Sequence, residues 1–403
     1  MNCFTCSNGN PVKFLDLGLQ PPSDAFVRKE DMNKPERKYP LELFFCDTCG
    51  LVQLGHIVDP GELFTEYVYT TGMNNQLRAN FKALVETLVR RFKVGSGDFA
   101  VDIGSNDGTL LKNYTQYGVR VLGIDPSSAA EIAEEQGIPT LRAFFNEATA
   151  QEVVQRYEHA KVITATNVFA HVPALDSFMR GITRLLAPRG VFVTESGYLL
   201  DMIETGGYDA VYHEHLRYYS LKPLTRLFGE FGMEVFDAER IESHSGSIRA
   251  YAARRGTYPV ESSVARLIAG EEKAGLYRQE TFLAFGKRAE KHRKEFCALL
   301  RKLKRTGTRI VGIGAPAKGN TLLNSCGVGT ETIDALLEKS PLKIGLYAPG
   351  SHIPVKNEEI LFSEQPEYAL LLSWNLADEL IPRIRSKGYK GKFIIPFPEI
   401  RVI

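Results

Sequence analysis

Between residues 98 and 200, short apolar runs alternate with amphipathic helical patterns, and this alternation constrains the fold more than any other feature of the sequence. Four runs have the length and composition of strands: Phe99–Ile103, Arg120–Ile124, Val162–Ala165 and Gly190–Thr194. Strands that alternate with helices pair in parallel, with helices on both faces of the sheet. The region therefore predicts an α/β domain whose ligand site lies at the carboxyl ends of the strands.

The sequence around this region predicts three domains, because 403 residues exceed what one ordinary core organises. Residues 1–75 are rich in turn formers and predict a small irregular domain. Residues 76–255 hold the α/β series. A charged stretch from about 261 to 304 predicts a long helix or a helix pair, and a second strand-and-helix series starts at Arg309–Ile313. We therefore expect a C-terminal α/β domain over residues 256–403.

The N-terminal region carries two C-x-x-C pairs separated by 39 residues, and they are formed by Cys3, Cys6, Cys46 and Cys49. Each pair can place two thiolates on one tetrahedral zinc ion. With all four positions taken by protein, such a site is closed and contributes folding free energy rather than activating water. A redox C-x-x-C is the competing interpretation, and the presence of two pairs weakens it.

The run Val101–Leu111 is the strongest local signal in the middle of the chain: a strand reaches Asp102, a turn with Gly104 and Gly108 follows, and a helix is expected to start within it. A dinucleotide fingerprint has glycine where this sequence has Asp102, and that fingerprint cradles a pyrophosphate. An acid there favours a cationic ligand such as S-adenosylmethionine. Asp125 ends the next strand, where its carboxylate can accept hydrogen bonds from both hydroxyls of a ribose.

Three further residues complete the predicted cofactor site. Asn106 lies in the glycine-bearing turn, and Asn167 and His171 follow the strand that ends near Ala165. The ends of neighbouring parallel strands meet at one sheet edge, so Asn167 and His171 are expected near the methionyl end of the cofactor. The alternative is a glycine turn that serves structure alone.

A dense group of titratable and aromatic residues spans Tyr208–Tyr219 and includes Tyr212-His213-Glu214-His215. Side chains that can titrate near neutral pH, packed this densely, suggest general acid/base chemistry. The order His-Glu-His is not H-E-x-x-H, so it does not indicate a metalloprotease. A hydrogen-bonded aromatic patch and a second metal held by His213 and His215 are the alternatives.

In the C-terminal region, Gly312-Ile-Gly314-Ala-Pro-Ala317 matches G-x-G-x-x-A after a strand, and Lys318 follows it. This turn could hold a phosphate through backbone N–H groups and Lys318, or it could only join strand and helix. The order Lys-Gly is the reverse of a P-loop and counts against ATP hydrolysis.

Charge and hydropathy exclude two kinds of partner. The 49 Lys and Arg residues nearly cancel the 48 Asp and Glu residues, giving a net charge of +1. The chain therefore lacks the excess of positive charge that binds nucleic-acid phosphates, and nucleic acid is not expected as a partner. No run of about 18 apolar residues and no basic leader with an apolar stretch occurs. We therefore expect neither a signal peptide nor a membrane span, and a cytoplasmic monomer.

Taken in order, several segments resemble the sugar C-methyltransferases that act on nucleotide-linked keto-deoxyhexoses. These segments are the two C-x-x-C pairs, Glu66–Thr70, Val101–Gly108, Tyr212–His215, Ser245–Arg249, Gly314–Asn324 and Pro349–Pro354. The resemblance covers nearly the whole chain. It implies a zinc-binding N-terminal region, a central class I (Rossmann-like) methyltransferase domain and a C-terminal Rossmann-like domain, with S-adenosylmethionine and structural Zn²⁺ as the cofactors.

The activity implied by the resemblance is methyl transfer to C3 of a 4-keto-6-deoxyhexose carried on a nucleoside diphosphate. A base would remove the C3 proton, and the enolate carbon would attack the sulfonium methyl. The implied base is His215, with Glu214 beside it, while Tyr212, Tyr67 or His171 would position the keto oxygen and the sugar. The candidates on the sugar-nucleotide side are Tyr212, Ser247, Arg249, Lys318, Asn320 and His352.

The sequence leaves some points open. The carrier can be thymidine or guanosine, and C3 can bear a hydroxyl or an amine. Asp24 stands where the resemblance leads us to expect Asn. An oxidoreductase with NAD bound at Gly312 is the rival enzyme, and a non-catalytic zinc-dependent binding module is the rival from another class.

Overall fold

The computed structural model describes residues 2–7, 10–64 and 70–403, and its strands form three β-sheets. The strands are β1 Val12–Gln20, β2 Tyr39–Phe45, β3 Val52–Leu54, β4 Phe99–Ile103, β5 Arg120–Ile124, β6 Thr140–Leu141, β7 Ala160–Thr166, β8 Leu186–Gly197, β9 Arg217–Tyr218, β10 Met233–Ile241, β11 Ser247–Arg254, β12 Ile310–Ile313, β13 Ala335–Glu338, β14 Val355–Asn357, β15 Tyr368–Leu371, β16 Lys392–Ile395 and β17 Arg401–Val402.

The α-helices are α1 Pro60–Phe64, α2 Asn75–Phe92, α3 Ala129–Glu135, α4 Glu147–Arg156, α5 Leu175–Leu185, α6 Leu199–Thr205, α7 Leu221–Glu230, α8 Ser262–Lys273, α9 Gln279–Arg305, α10 Ala317–Ser325, α11 Glu359–Glu364 and α12 Ala377–Ser386. Short 3₁₀ helices lie at Lys29–Asp31, Thr71–Met73, Leu111–Tyr117, Phe169–His171, Tyr208–Ala210, Ser243–Ser245 and Trp374–Leu376.

The N-terminal sheet has the order β1-β2-β3-β9, so its fourth strand comes from the middle of the chain. Alternate residues of β2, namely Leu41, Leu43 and Phe45, are buried, as expected for a sheet with one face packed. Helix α9 covers this face, and its Phe282 ring lies 4.4 Å from the ring of Phe45, centroid to centroid. The N-terminal region is thereby packed against the long helix α9.

The central sheet has seven strands in the order β10-β11-β8-β7-β4-β5-β6. Strands β4 to β8 pair in parallel, while β11 is antiparallel to both β8 and β10. The predicted parallel α/β sheet is confirmed, with an antiparallel hairpin at one edge. The strand order reverses between β4 and β7, and a crevice opens at such a point at the carboxyl ends of the strands.

The C-terminal sheet has the order β14-β13-β12-β15-β16-β17, with β17 antiparallel to the other five. Its first five strands form a second Rossmann-like sheet, as predicted, and the charged stretch before it forms the helix pair α8 and α9. Within the described residues, no helix is both long enough and apolar enough to cross a bilayer.

The turn after β4 differs from the expectation. The helix expected to start within the turn begins only at Leu111 and is a 3₁₀ helix. Gly104, Asn106 and Gly108 have φ values of 67°, 50° and 74°, which belong to the left-handed region. A right-handed helix cannot include these residues, so the backbone stays in a turn until it has passed Gly108.

Candidate active site

Asp102, at the carboxyl end of β4, is buried at the point where the strand order reverses. Its side chain is 2% exposed, and its Oδ1 accepts a hydrogen bond of 2.6 Å from the Thr164 hydroxyl. Burial, with a smaller contribution from the charges of Asp125 and Glu195, raises the pKa of Asp102 to about 7. No basic side chain of the described residues pairs with it. The site therefore presents a buried carboxyl group that lacks a cation.

The turn after Asp102 brings backbone close to the sheet edge. A Cβ on Gly104 would lie 2.2 Å from Cγ2 of Val168, so a side chain there would require either Val168 or the turn to shift. The Asn106 amide donates to Asp125 Oδ2 over 2.8 Å, and its side-chain oxygen accepts from the Thr71 amide over 2.9 Å. The turn thus connects β5 with the segment that precedes α2.

The Asp125 carboxylate is held in one orientation at the end of β5. It accepts hydrogen bonds from the amides of Asn106 and Ser127, each over 2.8 Å, and from the Ser127 hydroxyl. A carboxylate has about four lone-pair sites and three are occupied here, so Asp125 retains capacity for one further donor such as a hydroxyl. With Asp102 and the glycine turn, this arrangement fits a ligand with a ribose and a positive charge, as S-adenosylmethionine has.

Asp102→Asn is expected to stabilise the ligand-free protein by about 2–4 kcal/mol at pH 8, because it removes a carboxyl group whose ionisation opposes folding. A pKa raised from 3.8 to about 7 lowers stability progressively as pH rises through that interval. The gain should therefore be smaller at pH 5 than at pH 8 in urea unfolding experiments. Equal stability of variant and wild type at both pH values would contradict the assignment.

The same variant is expected to bind S-adenosylmethionine about tenfold or more weakly, since it loses a charged hydrogen-bond acceptor. Isothermal titration calorimetry measures this. The matched control is Asp176→Asn, an exposed acid on α5 that pairs with Arg180; its loss should lower stability by no more than about 1 kcal/mol and leave affinity unchanged. Unchanged affinity in Asp102→Asn would place the cofactor elsewhere.

Two histidines and a tyrosine stack beside this edge. The ring of His215 lies 3.9 Å from that of Tyr212 and 5.1 Å from that of His171, centroid to centroid. Nδ1 of His215 lies 3.1 Å from the Ala210 carbonyl oxygen. Because a carbonyl only accepts, Nδ1 carries a hydrogen, and in the uncharged form of the ring the lone pair is then on Nε2. This contact selects the tautomer that a base acting through Nε2 requires.

His171 contributes a neutral ring to this stack. Burial lowers the pKa of His171 to about 4, so the imidazole is uncharged at pH 7. It lies in the 3₁₀ turn after β7, and its ring also stacks on Phe64 at 5.6 Å. The Leu216 amide donates to the Ala170 carbonyl over 3.0 Å, which fixes the His171 and His215 loops together. Tyr67, the remaining candidate, lies outside the described residues.

The neighbours of His215 in the motif are buried. Glu214 is 4% exposed and His213 is 1% exposed. Nε2 of His213 lies 3.3 Å from the Tyr39 carbonyl oxygen, whereas His215 contacts Ala210. The two histidines therefore bind different backbone carbonyls. In the part of the chain that the structure describes, the four-cysteine cluster is the one group of three or more potential metal ligands. His213 and His215 therefore do not form a second metal site.

The four N-terminal cysteines converge as their spacing predicts. Their Sγ atoms all lie within 4.8 Å of one another, with 3.5 Å between those of Cys3 and Cys49 and 3.7 Å between those of Cys6 and Cys46. Tetrahedral zinc with Zn–S bonds of about 2.3 Å requires sulfur atoms about 3.8 Å apart. The cluster therefore fits a closed Zn²⁺ site that stabilises the N-terminal sheet.

Two of the sugar-nucleotide candidates lie on β11. Ser247 is buried, and its hydroxyl donates to the Ser243 carbonyl over 2.9 Å. Arg249 is also buried and forms ion pairs with Glu195 at 2.5 Å and Glu239 at 2.8 Å. Its Nη2 donates to the Asn80 side chain over 2.8 Å. Arg249 thus holds a network that joins β8, β10 and α2, and no motif in the sequence indicates it.

Lys318 contacts the central domain from the first turn of α10. Its Nζ donates to the Ser245 hydroxyl over 2.8 Å and lies 5.9 Å from the centroid of the Trp374 ring. Burial lowers the pKa of Lys318, and the buried Asp209 carboxylate opposes this shift. A cleft of about 410 Å³ opens beside Ser245, and its lining is mostly polar, with Gln76, Asn80, Ile241, Glu242, Ser243, Ser245, Asn375 and Leu376.

The two remaining candidates contact N-terminal residues. The fully buried Asn320 donates to the Ser23 carbonyl over 2.7 Å. Nε2 of His352 lies 2.6 Å from Oε1 of Glu36. Asn320 and His352 therefore do not form one cluster with Arg249. Both join the C-terminal region to the N-terminal region, whereas Arg249 joins strands of the central sheet to α2.

The turn at Gly312–Ala317 is occupied by protein groups. The Ala315 amide donates to the Glu338 carboxylate over 2.9 Å, and Pro316 has no N–H. Lys343, which pairs with Asp24 at 3.2 Å, donates to the Ala315 carbonyl over 3.0 Å. A phosphate on this turn would have to displace a carboxylate. Of the two interpretations, the geometry favours a turn that joins strand and helix and packs against the N-terminal region.

The fold and the site together define a class I, S-adenosylmethionine-dependent methyltransferase. Family models agree along the chain: a zinc binding domain matches residues 3–64, a methyltransferase domain matches residues 73–238, and a C-methyltransferase C-terminal domain matches residues 242–398. The C-methyltransferase NovU of Streptomyces niveus is 33% identical over 404 aligned positions, which cover 100% of this chain and 96% of that protein. The chain belongs to this C-methyltransferase family.

More distant similarities are confined to part of the chain. A ubiquinone biosynthesis O-methyltransferase of Methylobacterium sp. strain 4-46 is 27% identical over 174 residues, covering 38% of this chain and 67% of that protein. The solved structure of magnesium protoporphyrin IX methyltransferase from Synechocystis PCC 6803 with bound S-adenosylmethionine covers 44% of this chain and 79% of its own, with 14% identity and a TM-score of 0.33. The full-length similarity is the one that identifies the family. The enzyme transfers a methyl group to carbon, so the chain is not a non-catalytic binding module.

Proposed function

We propose that this enzyme methylates C3 of a 4-keto-6-deoxyhexose linked to a nucleoside diphosphate, in deoxysugar biosynthesis. The observation that carries the proposal is the stack of His171, His215 and Tyr212 next to the predicted cofactor edge. Transfer of a methyl group to carbon requires a carbanion equivalent, which an oxygen acceptor does not. A neutral imidazole with its lone pair on Nε2 is the group that generates it.

The 4-keto group of such a sugar acidifies the C3 hydrogen, and His215 removes that proton through Nε2. Bound S-adenosylmethionine supplies the electrophilic methyl group. Negative charge develops on the C4 oxygen as the proton leaves, and His171, neutral at pH 7, can donate a hydrogen bond to it. Tyr212 and Tyr67 hold the sugar ring, and Glu214 orients the loop beside the base.

Asp102, Gly104, Asn106, Gly108, Asp125, Asn167 and His171 form the proposed cofactor side of the site. We place the carrier diphosphate near Lys318, because its ammonium group reaches Ser245 beside the polar cleft of about 410 Å³. Arg249 and Ser247 support this side through their buried contacts. In this arrangement the units 1–75, 76–255 and 256–403 of one monomer enclose the substrate.

A substrate panel tests the proposal. The enzyme is incubated with S-adenosylmethionine and either dTDP- or GDP-linked 4-keto-6-deoxyhexoses, with 3-hydroxy and 3-amino forms of each, and products are analysed by mass spectrometry. We expect a gain of one methyl group with one carrier and not with the other. Matched sugars reduced at C4 are the control, since they lack the acidifying ketone. Methylation of the reduced sugars, or of none of the panel, would contradict the proposal.

A further inference from the structure

Arg217 is a buried cation on β9, two residues after His215, and it has no acidic partner among the described residues. Its side chain is 2% exposed. Nη1 and Nη2 donate to the carbonyls of Val172 and Pro173, while Nε makes no hydrogen bond within the described structure. Removing a cation from water without a counter-charge costs several kcal/mol. A negative charge near Arg217 would therefore stabilise the folded protein.

The four-cysteine cluster, whose first two members flank a residue in contact with Arg217, is a source of this negative charge. The guanidinium carbon is 5.5 Å from the ring centroid of Phe4, which stands between Cys3 and Cys6. The Phe4 amide donates to Oε1 of Gln53 over 2.7 Å, and Gln53 is the direct partner of Arg217 in the β3–β9 ladder. Burial lowers the pKa of Arg217, and this shift is opposed first by Tyr219 and then by Cys3.

Zinc held by four thiolates has a net charge of −2, because four negative ligands outweigh one divalent cation. Such a centre is stabilised by a cation in the shell around it, and outer-shell partners of this kind are a general feature of metal sites. The tetrathiolate has an excess of negative charge, and its cysteines precede β1 or lie in the turn between β2 and β3. The buried guanidinium has an excess of positive charge and lies on β9, the strand that pairs with β3.

We propose that Arg217 is the counter-ion of the zinc centre and, through the same side chain, a positioning residue for the loops that carry His171 and His215. The carbonyls that it binds belong to Val172 and Pro173, directly after His171, and its own strand follows His215. Zinc occupancy is thereby connected to the active site. The part that concerns His171 and His215 rests on the proposed function, whereas the part that concerns zinc does not.

The test compares Arg217→Lys, which keeps the charge, with Arg217→Gln, which keeps hydrogen-bond donors without the charge. Zinc release from the full-length, zinc-loaded enzyme is followed with an excess of a metallochromic chelator. We expect about tenfold or faster release from Arg217→Gln, and release within about threefold of wild type from Arg217→Lys. Arg266→Gln, an exposed arginine on α8, is the matched control and should release zinc as wild type does.

Zinc release from Arg217→Gln at the wild-type rate, or equally fast release from both variants, would overturn the counter-ion role. If Arg217→Gln does not fold, Arg217→Lys decides alone, since release tenfold faster than wild type despite the retained charge would refute the proposal. For the positioning role, Arg217→Lys loses one of two carbonyl contacts and should lower kcat about tenfold with unchanged affinity for S-adenosylmethionine. Unchanged kcat would refute that role while leaving the zinc result standing.

Discussion

Replacing Cys46 and Cys49 together with serine is expected to abolish zinc binding and leave the N-terminal sheet unfolded. Structural zinc contributes an apparent 10–16 kcal/mol in small zinc domains, roughly as much as the whole stability of an ordinary domain. Here the zinc ligands come from two segments, the turn between β2 and β3 and the segment before β1, so zinc would hold these segments together. Metal analysis should show no bound zinc, and thermal unfolding should show a lower Tm or no cooperative transition.

Activity should be lost together with the fold, because β9 completes the N-terminal sheet and directly follows the His215 loop. The double variant Asp47→Asn with Thr48→Ser, in exposed positions between the same two cysteines, is the matched control and should retain zinc and stability. A cysteine variant with normal Tm and no bound metal would show that zinc is not a structural element of this protein.

His215→Asn should lower kcat by about 10² or more, the usual range for loss of a general base. Binding of S-adenosylmethionine should be retained, because the proposed cofactor contacts come from the turn after β4, the end of β5 and the loop after β7, and do not include His215. His159→Asn, an exposed histidine, is the matched control. Steady-state kinetics with an accepted substrate and calorimetric titration of the cofactor measure the two effects separately.

Exchange of the C3 hydrogen with solvent is a second measurement on His215→Asn, and it reports proton removal separately from methyl transfer. In the absence of a methyl donor, wild-type enzyme should exchange this hydrogen for deuterium, and His215→Asn should not. Near-normal turnover in His215→Asn would assign the base to another residue. Normal exchange with slow methylation would mean instead that His215 acts after proton removal.

Much of the fold could be predicted because it depends on local apolar patterns. The predicted strands Phe99–Ile103 and Arg120–Ile124 match β4 and β5 at both ends, since each apolar run is bounded by turn residues. The two C-x-x-C pairs predicted the cysteine cluster because the spacing of metal ligands is itself a local pattern. The two-residue strand β9 could not be predicted, because it is too short to show a period.

The site was predictable only in part. Strand ends indicated Asp102 and Asp125, but the Arg249 network joins residues 54 and 169 positions apart, and no pattern along the chain reports such contacts. The same is true of Arg217, whose partners are backbone carbonyls 45 and 44 residues away. Side chains that interact across elements depend on their directions in the fold, which periodicity does not specify.

The central claim is that the methyl group is transferred to carbon after removal of the C3 proton. The most direct measurement is NMR of the product formed from ¹³C-methyl S-adenosylmethionine and the accepted sugar nucleotide in deuterated water. We predict a ¹³C-methyl group correlated to a C3 that bears no hydrogen, and no solvent deuterium at C3. A labelled methyl group on oxygen or nitrogen, or a product that keeps its C3 hydrogen, would contradict the account.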